Sequence, residues 1–296
     1  MNTIDPNAYK QPIPEFDGYS TYEMAWILFN PIQPDSPMQL NPLTEDLIRR
    51  IPMLNVALFL MNMLHDSGEI KLTATGNLPL KLVKAMHEMA QVPDERLDTG
   101  MSKIRSQQDV ILVDLLRALL DFARLTKKRH NKLSLTRAGQ KLLNNPDALL
   151  RTLLLTHGFE FPWSHYDYYD NEEVGQFGWA FSLRILALYG GEPREDRWYA
   201  RRYFTAFPEH YPQESLETID TVDWNPIVSC YATRTFNHFA MMYGLVTYTR
   251  GPFRPGFGRQ KEFFQATALL HELFYFKEHV SYIGAANFPP MYEPGR

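Results

Sequence analysis

The sequence predicts a mainly α chain with small β-hairpins, and two stretches carry that reading. LLRALLDFARLTKKRHNKLSLTRAGQKLL, Leu115 to Leu143, is an apolar helical run, a basic strand-turn-strand and a return helix. NPIVSCYATRTFNHFAMMYGLVTYTRGPFRPGFGRQKEFFQATALLHELF, Asn225 to Phe274, repeats that order as helix, Gly-Leu-Val strand, basic Pro/Gly loop, strand and helix. Each has the outline of a winged helix, so the expected architecture is two winged-helix-like units joined by a helical middle segment. The expected divisions are a Pro-rich N-terminal arm at 1–42, a first winged-helix-like domain at 43–146, the middle segment at 147–223, and a second unit with its tail at 224–296. Identities between the two units are too few to assert a duplication from sequence.

Taken in order, residues 1–42 hold seven prolines, which deny regular helix or inner strand through most of the segment. Tyr19, Tyr22, Trp26, Ile27, Leu28 and Phe29 are too apolar for a free tail, so the arm is expected to lie across a groove of its own body or of a second copy, and a homodimer is the expected assembly. Thr44 with Glu45 and Asp46 opens a nearly all-round apolar helix that ends at Gly68. Glu69 to Thr73 alternates as a short strand, and Leu78 to Ala90 shows helical spacing with Lys81 and Lys84 outward. Val110 to Phe122 is the next helix. Arg129-His130-Asn131 is a tight polar turn between strands, and Thr136 caps the helix from Ala138 to Leu143.

Asp147 caps a helix from Leu149 to Thr156, which Gly158 and Pro162 are expected to end. An aromatic and acidic stretch follows, then a helix from about Glu172 to Tyr189 and another from Arg197 to Phe207. An acidic connector leads into the second unit, closed by Thr267 to Phe276.

With 296 residues, 45% of them hydrophobic, the chain can bury a full core and is long enough for about two domains. The longest apolar run, Ile51 to Leu64, is broken by Pro52, Asn55 and Asn62 and falls short of the roughly twenty residues a bilayer requires, so no membrane partner is expected. The first twenty residues carry Asp5, Glu15 and Asp17 and lack the positive start and apolar run of a signal peptide. Cys230 is the single cysteine, which excludes an intrachain disulfide and a cysteine-cluster zinc site and fits a reducing, cytoplasmic setting. On its helix it is expected to be core filler.

A net charge of -4 argues against indiscriminate nucleic-acid binding, but the charge is unevenly placed. Phe122 to Pro146 holds seven Lys or Arg and no acid: Arg124, Lys127, Lys128, Arg129, Lys132, Arg137 and Lys141. Trp224 to Lys261 holds five and no acid: Arg234, Arg250, Arg254, Arg259 and Lys261. Each window coincides with an expected wing, where a winged helix touches a phosphate backbone; solvated hairpins with no ligand are the plain alternative. Phe253 and Phe257 could stack on bases or pack on the protein body. For base readout, Leu78 to Ala90 with Lys81, Lys84 and His87 competes with Val110 to Phe122, which is too apolar to face a groove.

KLTATGNLPLKLVKAMHE, Lys71 to Glu88, joined to LLRALLDFARLTKKRHNKLSLTRAG, resembles uncharacterised bacterial proteins of the plasmid pRiA4b ORF-3-like and SEC-C-associated group. The resemblance spans about residues 45 to 280 and is most specific at 72–78. It implies a mostly helical winged fold. The SEC-C metal motif needs clustered cysteines, which this chain lacks, so the resemblance implies no metal role and no site.

No catalytic signature is found. Asp66 with Glu69-Ile70-Lys71 has the residue order of a nuclease strand, but the acids are too close in sequence. His157, Glu160, His165, Asp167 and Asp170 include metal-ligand types, yet an aromatic surface loop accounts for them as well. Gly251, Gly256 and Gly258 are interrupted by prolines and read as a wing tip. The leading expectation is a non-enzymatic, regulator-like protein without a cofactor, binding duplex DNA through Lys81, Lys84, Lys127, Lys128, Arg129, Lys132, Arg137, Arg250, Arg254 and Arg259. The alternative is a protein-interaction or scaffold module that meets a partner protein through the acidic remainder of the chain and the aromatic 159–169 segment. A metal-dependent enzyme using His157, His165 and Asp167 is the third.

Overall fold

Proline spacing decides where the N-terminal arm can fold. Between Pro14 and Pro31 it is proline-free, and there α1, Thr21–Phe29, is opened by a capping box in which Ser20 and Glu23 satisfy each other's backbone N–H groups. The computed structural model describes residues 8–169, 172–210, 219, 225–252, 260–277 and 292. Tyr19, Met24, Ile27, Ile32 and Met38 are buried, so the arm lies across its own chain. Its strand β1, Met38–Leu40, pairs antiparallel with β8, Phe274–Phe276, with Met38 opposite Phe276.

The single helix expected after Thr44 is two. α2, Glu45–Arg50, stops at Ile51, and α3, Pro52–Ser67, starts afresh. Pro52 has no N–H to offer the preceding turn and pushes Ile51 to an extended φ of -89 and ψ of 103. α3 buries Met53, Leu54, Val56, Ala57, Leu60, Met61 and Leu64.

Then come β2, Ile70–Lys71, α4, Leu80–Ala90, the short α5, Glu95–Asp98, and α6, Ile111–Phe122. The hairpin of β3, Thr126–Arg129, and β4, Lys132–Leu135, turns at His130 and Asn131, whose φ values of 48 and 57 are those of a type I′ turn. The sheet order is β2-β4-β3, antiparallel, and α7, Arg137–Leu143, returns over it with Thr136 as N-cap.

α8, Pro146–Leu155, does not end before Gly158. It continues as a π-helical turn, Thr156–Glu160. Gly158 is a close-packing position, because a Cβ there would collide with the Trp179 indole. The helix expected from Glu172 begins only at Trp179, because Gly175 and Gly178 take left-handed φ values of 81 and 70. α9, Trp179–Tyr189, leads to β5, Arg194–Glu195, and α10, Asp196–Ala206. α11, Pro226–Ala232, is prolonged by a π-helical stretch, Thr233–Phe239, and a 3-10 turn, Ala240–Tyr243. β6, Val246–Arg250, β7, Glu262–Ala266, and α12, Ala268–Leu273, follow, in a sheet of order β5-β7-β6.

The two halves repeat one topology: helix, short strand, helix, helix, hairpin, helix. Three hydrogen bonds at their joints coincide. Leu125 N donates to Leu120 O at 2.8 Å, and Leu245 N to Ala240 O at 2.9 Å. Thr136 N donates to Leu125 O and Thr267 N to Leu245 O, both at 3.0 Å. The same threonines donate their hydroxyls to Arg124 O and Gly244 O, both at 2.8 Å. Arg124 and Gly244 share the left-handed backbone that ends the third helix, with φ values of 55 and 72. β5, which completes the second sheet, comes from the segment 147–223, as do α9 and α10. One buried apolar cluster runs through both halves, with Phe239 stacked on Trp163 at 4.9 Å and tilted on Trp179 at 5.2 Å.

Candidate nucleic-acid interface

Strand alternation sorts the side chains of the first hairpin. Thr126, Leu133 and Leu135 face the core, and the alternate positions face outward. Cross-strand partners share a face, and the register sets Lys71 opposite Lys132, and Lys132 opposite Arg129. A row of three cations therefore crosses the outer face of the sheet, strand by strand, with Lys127 beside Ser134 in a neighbouring row. All four are exposed. Like charges side by side on a sheet oppose folding unless another charge offsets them, and here Glu69 forms an ion pair with Lys132. Lys71, Lys127 and Arg129 have no ion-pair partner among the described residues.

Lys128, opposite Leu133, belongs to the other face. Its ammonium packs against Gly76, filling the space a Cβ there would take. Asn131 ties the hairpin tip to the same loop by donating to Leu72 O at 3.1 Å and Thr73 O at 2.8 Å. Arg137 is exposed in the first turn of α7, and Lys81 and Lys84 are exposed on α4. Lys71 escaped the sequence reading: its strand was legible, but the register that aligns it with Lys132 was not.

The second hairpin differs. Arg250 forms ion pairs with Glu95 and, at 3.4 Å, with Glu262, and Lys261 reaches Glu195 at 3.0 Å. Its basal cations are engaged with the protein's own acids. Arg254, Arg259, Phe253 and Phe257 lie outside the described residues.

The third helix of each repeat is covered. α6 buries Leu112, Val113, Leu115, Leu116, Leu119 and Leu120, and the acids it turns outward are already bonded. Asp114 accepts from Tyr166 OH at 3.0 Å and Gln107 Nε2 at 2.7 Å, while Asp121 pairs with Arg117 and accepts from Thr126 Oγ1 at 2.6 Å. In the second repeat Val228, Cys230, Tyr231, Phe236 and Phe239 are buried along the equivalent helix. Burial pushes the Cys230 thiol up to about 12, in keeping with a core position.

The metal-ligand types found in sequence have separate occupations. His157 is buried among Phe161, Trp163, Phe239 and Tyr243, and burial pulls it down to about 3. Asp167 is held by Arg234, at 2.7 Å from Nε and 2.9 Å from Nη2. His165 packs edge-on to Phe161 and Tyr166. Glu160 accepts from Tyr292 OH at 2.8 Å, and Asp170 lies outside the described residues. Glu69 is bound to Lys132, away from Asp66, which is exposed at the end of α3. Among the described residues no group of three or more His, Cys, Asp or Glu is placed to share a metal ion, and no helix is long and apolar enough to cross a membrane.

Neither the curated proteins nor the solved structures contain a match to this chain. Residues 49–148, which take in the whole first repeat and its row of cations, match the family model of the Y4jL N-terminal domain, an uncharacterised family.

Proposed function

We propose that each repeat is a winged helix and that the first binds duplex DNA through phosphate contacts on the outer face of its sheet. The observation that carries this reading is the register row Lys71, Lys132, Arg129, flanked by Lys127. Lys81, Lys84 and Arg137, exposed on α4 and α7, and Lys128, on the opposite face of the sheet, are the proposed secondary contacts. Because the outward acids of α6 are bonded within the protein, base readout by the third helix has no side chains to use, and the binding is of backbone and shape. The role is regulator-like and non-catalytic, in the cytoplasm, with the finer kinship to the pRiA4b ORF-3-like group as part of the same reading. The test is fluorescence anisotropy on a random-sequence duplex at about 50 mM salt, where phosphate contacts are strongest. Wild-type protein binds, and the variant Lys71→Glu, Lys127→Glu, Arg129→Glu, Lys132→Glu does not; equal binding by both refutes the proposal.

One observation favours a second reading, a protein-docking surface at 159–169. Tyr292, from the C-terminal tail, stacks on Phe159 at 4.6 Å as well as bonding Glu160. A partner segment carrying a tyrosine would dock the same way. Its signature is a stoichiometric complex with a partner protein that survives charge reversal of the sheet row and is lost on Phe159→Ala.

A further inference from the structure

A cavity of about 550 Å³ opens where the two repeats meet. Its walls are the end of α4, the turn from Val92 to Asp94 with the start of α5, the start of α6, the Tyr166 to Tyr169 segment, and the helical stretch from Thr233 to Met242 with β6. That volume lies within the range of small-molecule sites. Apolar wall comes from Val92, Ile111, Leu112, Met241 and Met242, and aromatic wall from Tyr166, Tyr168, Tyr169 and Tyr248.

The ionised groups on this wall are paired, four carboxylates to three guanidinium groups. Arg96 pairs with Asp94 at 3.3 Å, Arg250 with Glu95 and Glu262, and Asp167 with the buried Arg234. Among the described residues of the wall neither Arg96 nor Arg250 is left over for a phosphate. What remains unmade is neutral: Asn237 Oδ1 and His238 Nδ1, on consecutive residues of the π-helical stretch, have no hydrogen-bond partner. Both atoms are shut off from solvent, which costs the free protein their unmade bonds, and both residues line the cavity. A flat ligand with an N–H donor and a ring-nitrogen or carbonyl acceptor would complete both and stack on tyrosine.

We propose that the cavity between the repeats binds a neutral, planar nitrogen heteroaromatic of nucleoside size. Aromatic faces supply sequence-tolerant stacking. Asn237 and His238 supply orientation. The site is separate from the cationic row, so it stands or falls independently of duplex binding.

The experiment is calorimetric titration of adenosine, guanosine, cytidine and uridine, up to millimolar concentration, into the full-length chain. At least one nucleoside binds one-to-one, and its affinity falls about fivefold or more in Tyr168→Ala, the loss expected for one stacking partner. Tyr168 is fully exposed, so this variant folds even if Asn237→Leu does not. A folded Asn237→Leu also loses affinity, and the matching 5′-triphosphate binds more weakly than the nucleoside. No binding by any of the four, undiminished binding in Tyr168→Ala or in folded Asn237→Leu, or tighter binding of the triphosphate would overturn the assignment.

Discussion

Replacing Arg234 by Met tests how the aromatic segment is held to the second repeat. The Arg234 side chain is 0% exposed and that of Asp167 is 5% exposed. The guanidinium meets both carboxylate oxygens, at 2.7 and 2.9 Å, and Nη1 donates to Val174 O at 3.2 Å. One side chain thus clamps both the 161–169 segment and the turn before α9. Removing it strands a buried carboxylate, a loss of about 3–5 kcal/mol against a total stability of about 5–15 kcal/mol. With a urea m-value of about 3 kcal/mol/M, the midpoint falls by about 1 M or more, read from Trp163 and Trp179 fluorescence. Asp167→Asn should cost a similar amount by stranding the cation. The double variant Arg234→Met, Asp167→Leu removes both charges and recovers much of the loss. A loss below about 1 kcal/mol in both single variants would refute the account of this clamp.

Two further predictions follow from buried groups. Burial pulls His157 to about 3 and His238 to about 4, both below the ordinary value of 6.5. The folded state therefore disfavours their protonation, and stability is lost as pH falls from about 6.5 toward those values. Urea midpoints should drop between pH 7 and pH 5 and drop less in His157→Gln, with little pH dependence from these groups above 7. Gly139, in the first turn of α7, lies so close to Leu125 O that a Cβ cannot fit without moving backbone. Gly139→Ala should cost about 1–3 kcal/mol, seen as a lower Tm by calorimetry, and a neutral result would mean the return helix is not seated on the hairpin as described.

The mainly helical character with small hairpins was legible because periodicity and turn chemistry are local. His130-Asn131 marked its own turn, and Thr136 its own cap. Long-range pairing was not legible. β5 is a two-residue strand that exists only through its bonds to β7, so nothing in Arg194-Glu195 announced it. The repeated helix-hairpin-helix outline was legible, but how far the repeat extends was not, for related reasons. The second third-helix is partly π-helical, which shifts its periodicity, and its hairpin loop runs from Gly251 to Lys261 where the first has only His130 and Asn131. The basic character of the first hairpin was plain, but which cations act together depends on register. Register brought Lys71 in, turned Lys128 toward Gly76, and left Arg250 among acids.

We propose that phosphate contacts by the cation row hold the first repeat on duplex DNA. The most direct measurement is the salt dependence of affinity for a random duplex, in wild type and in Lys127→Ala, Arg129→Ala. About four contacts predict a log-log slope near -3.6, since each contributes about -0.9, and the variant should flatten it by about 1.8 while binding more weakly at every salt concentration. An unchanged slope, or no binding by wild type at about 50 mM salt, would contradict the account.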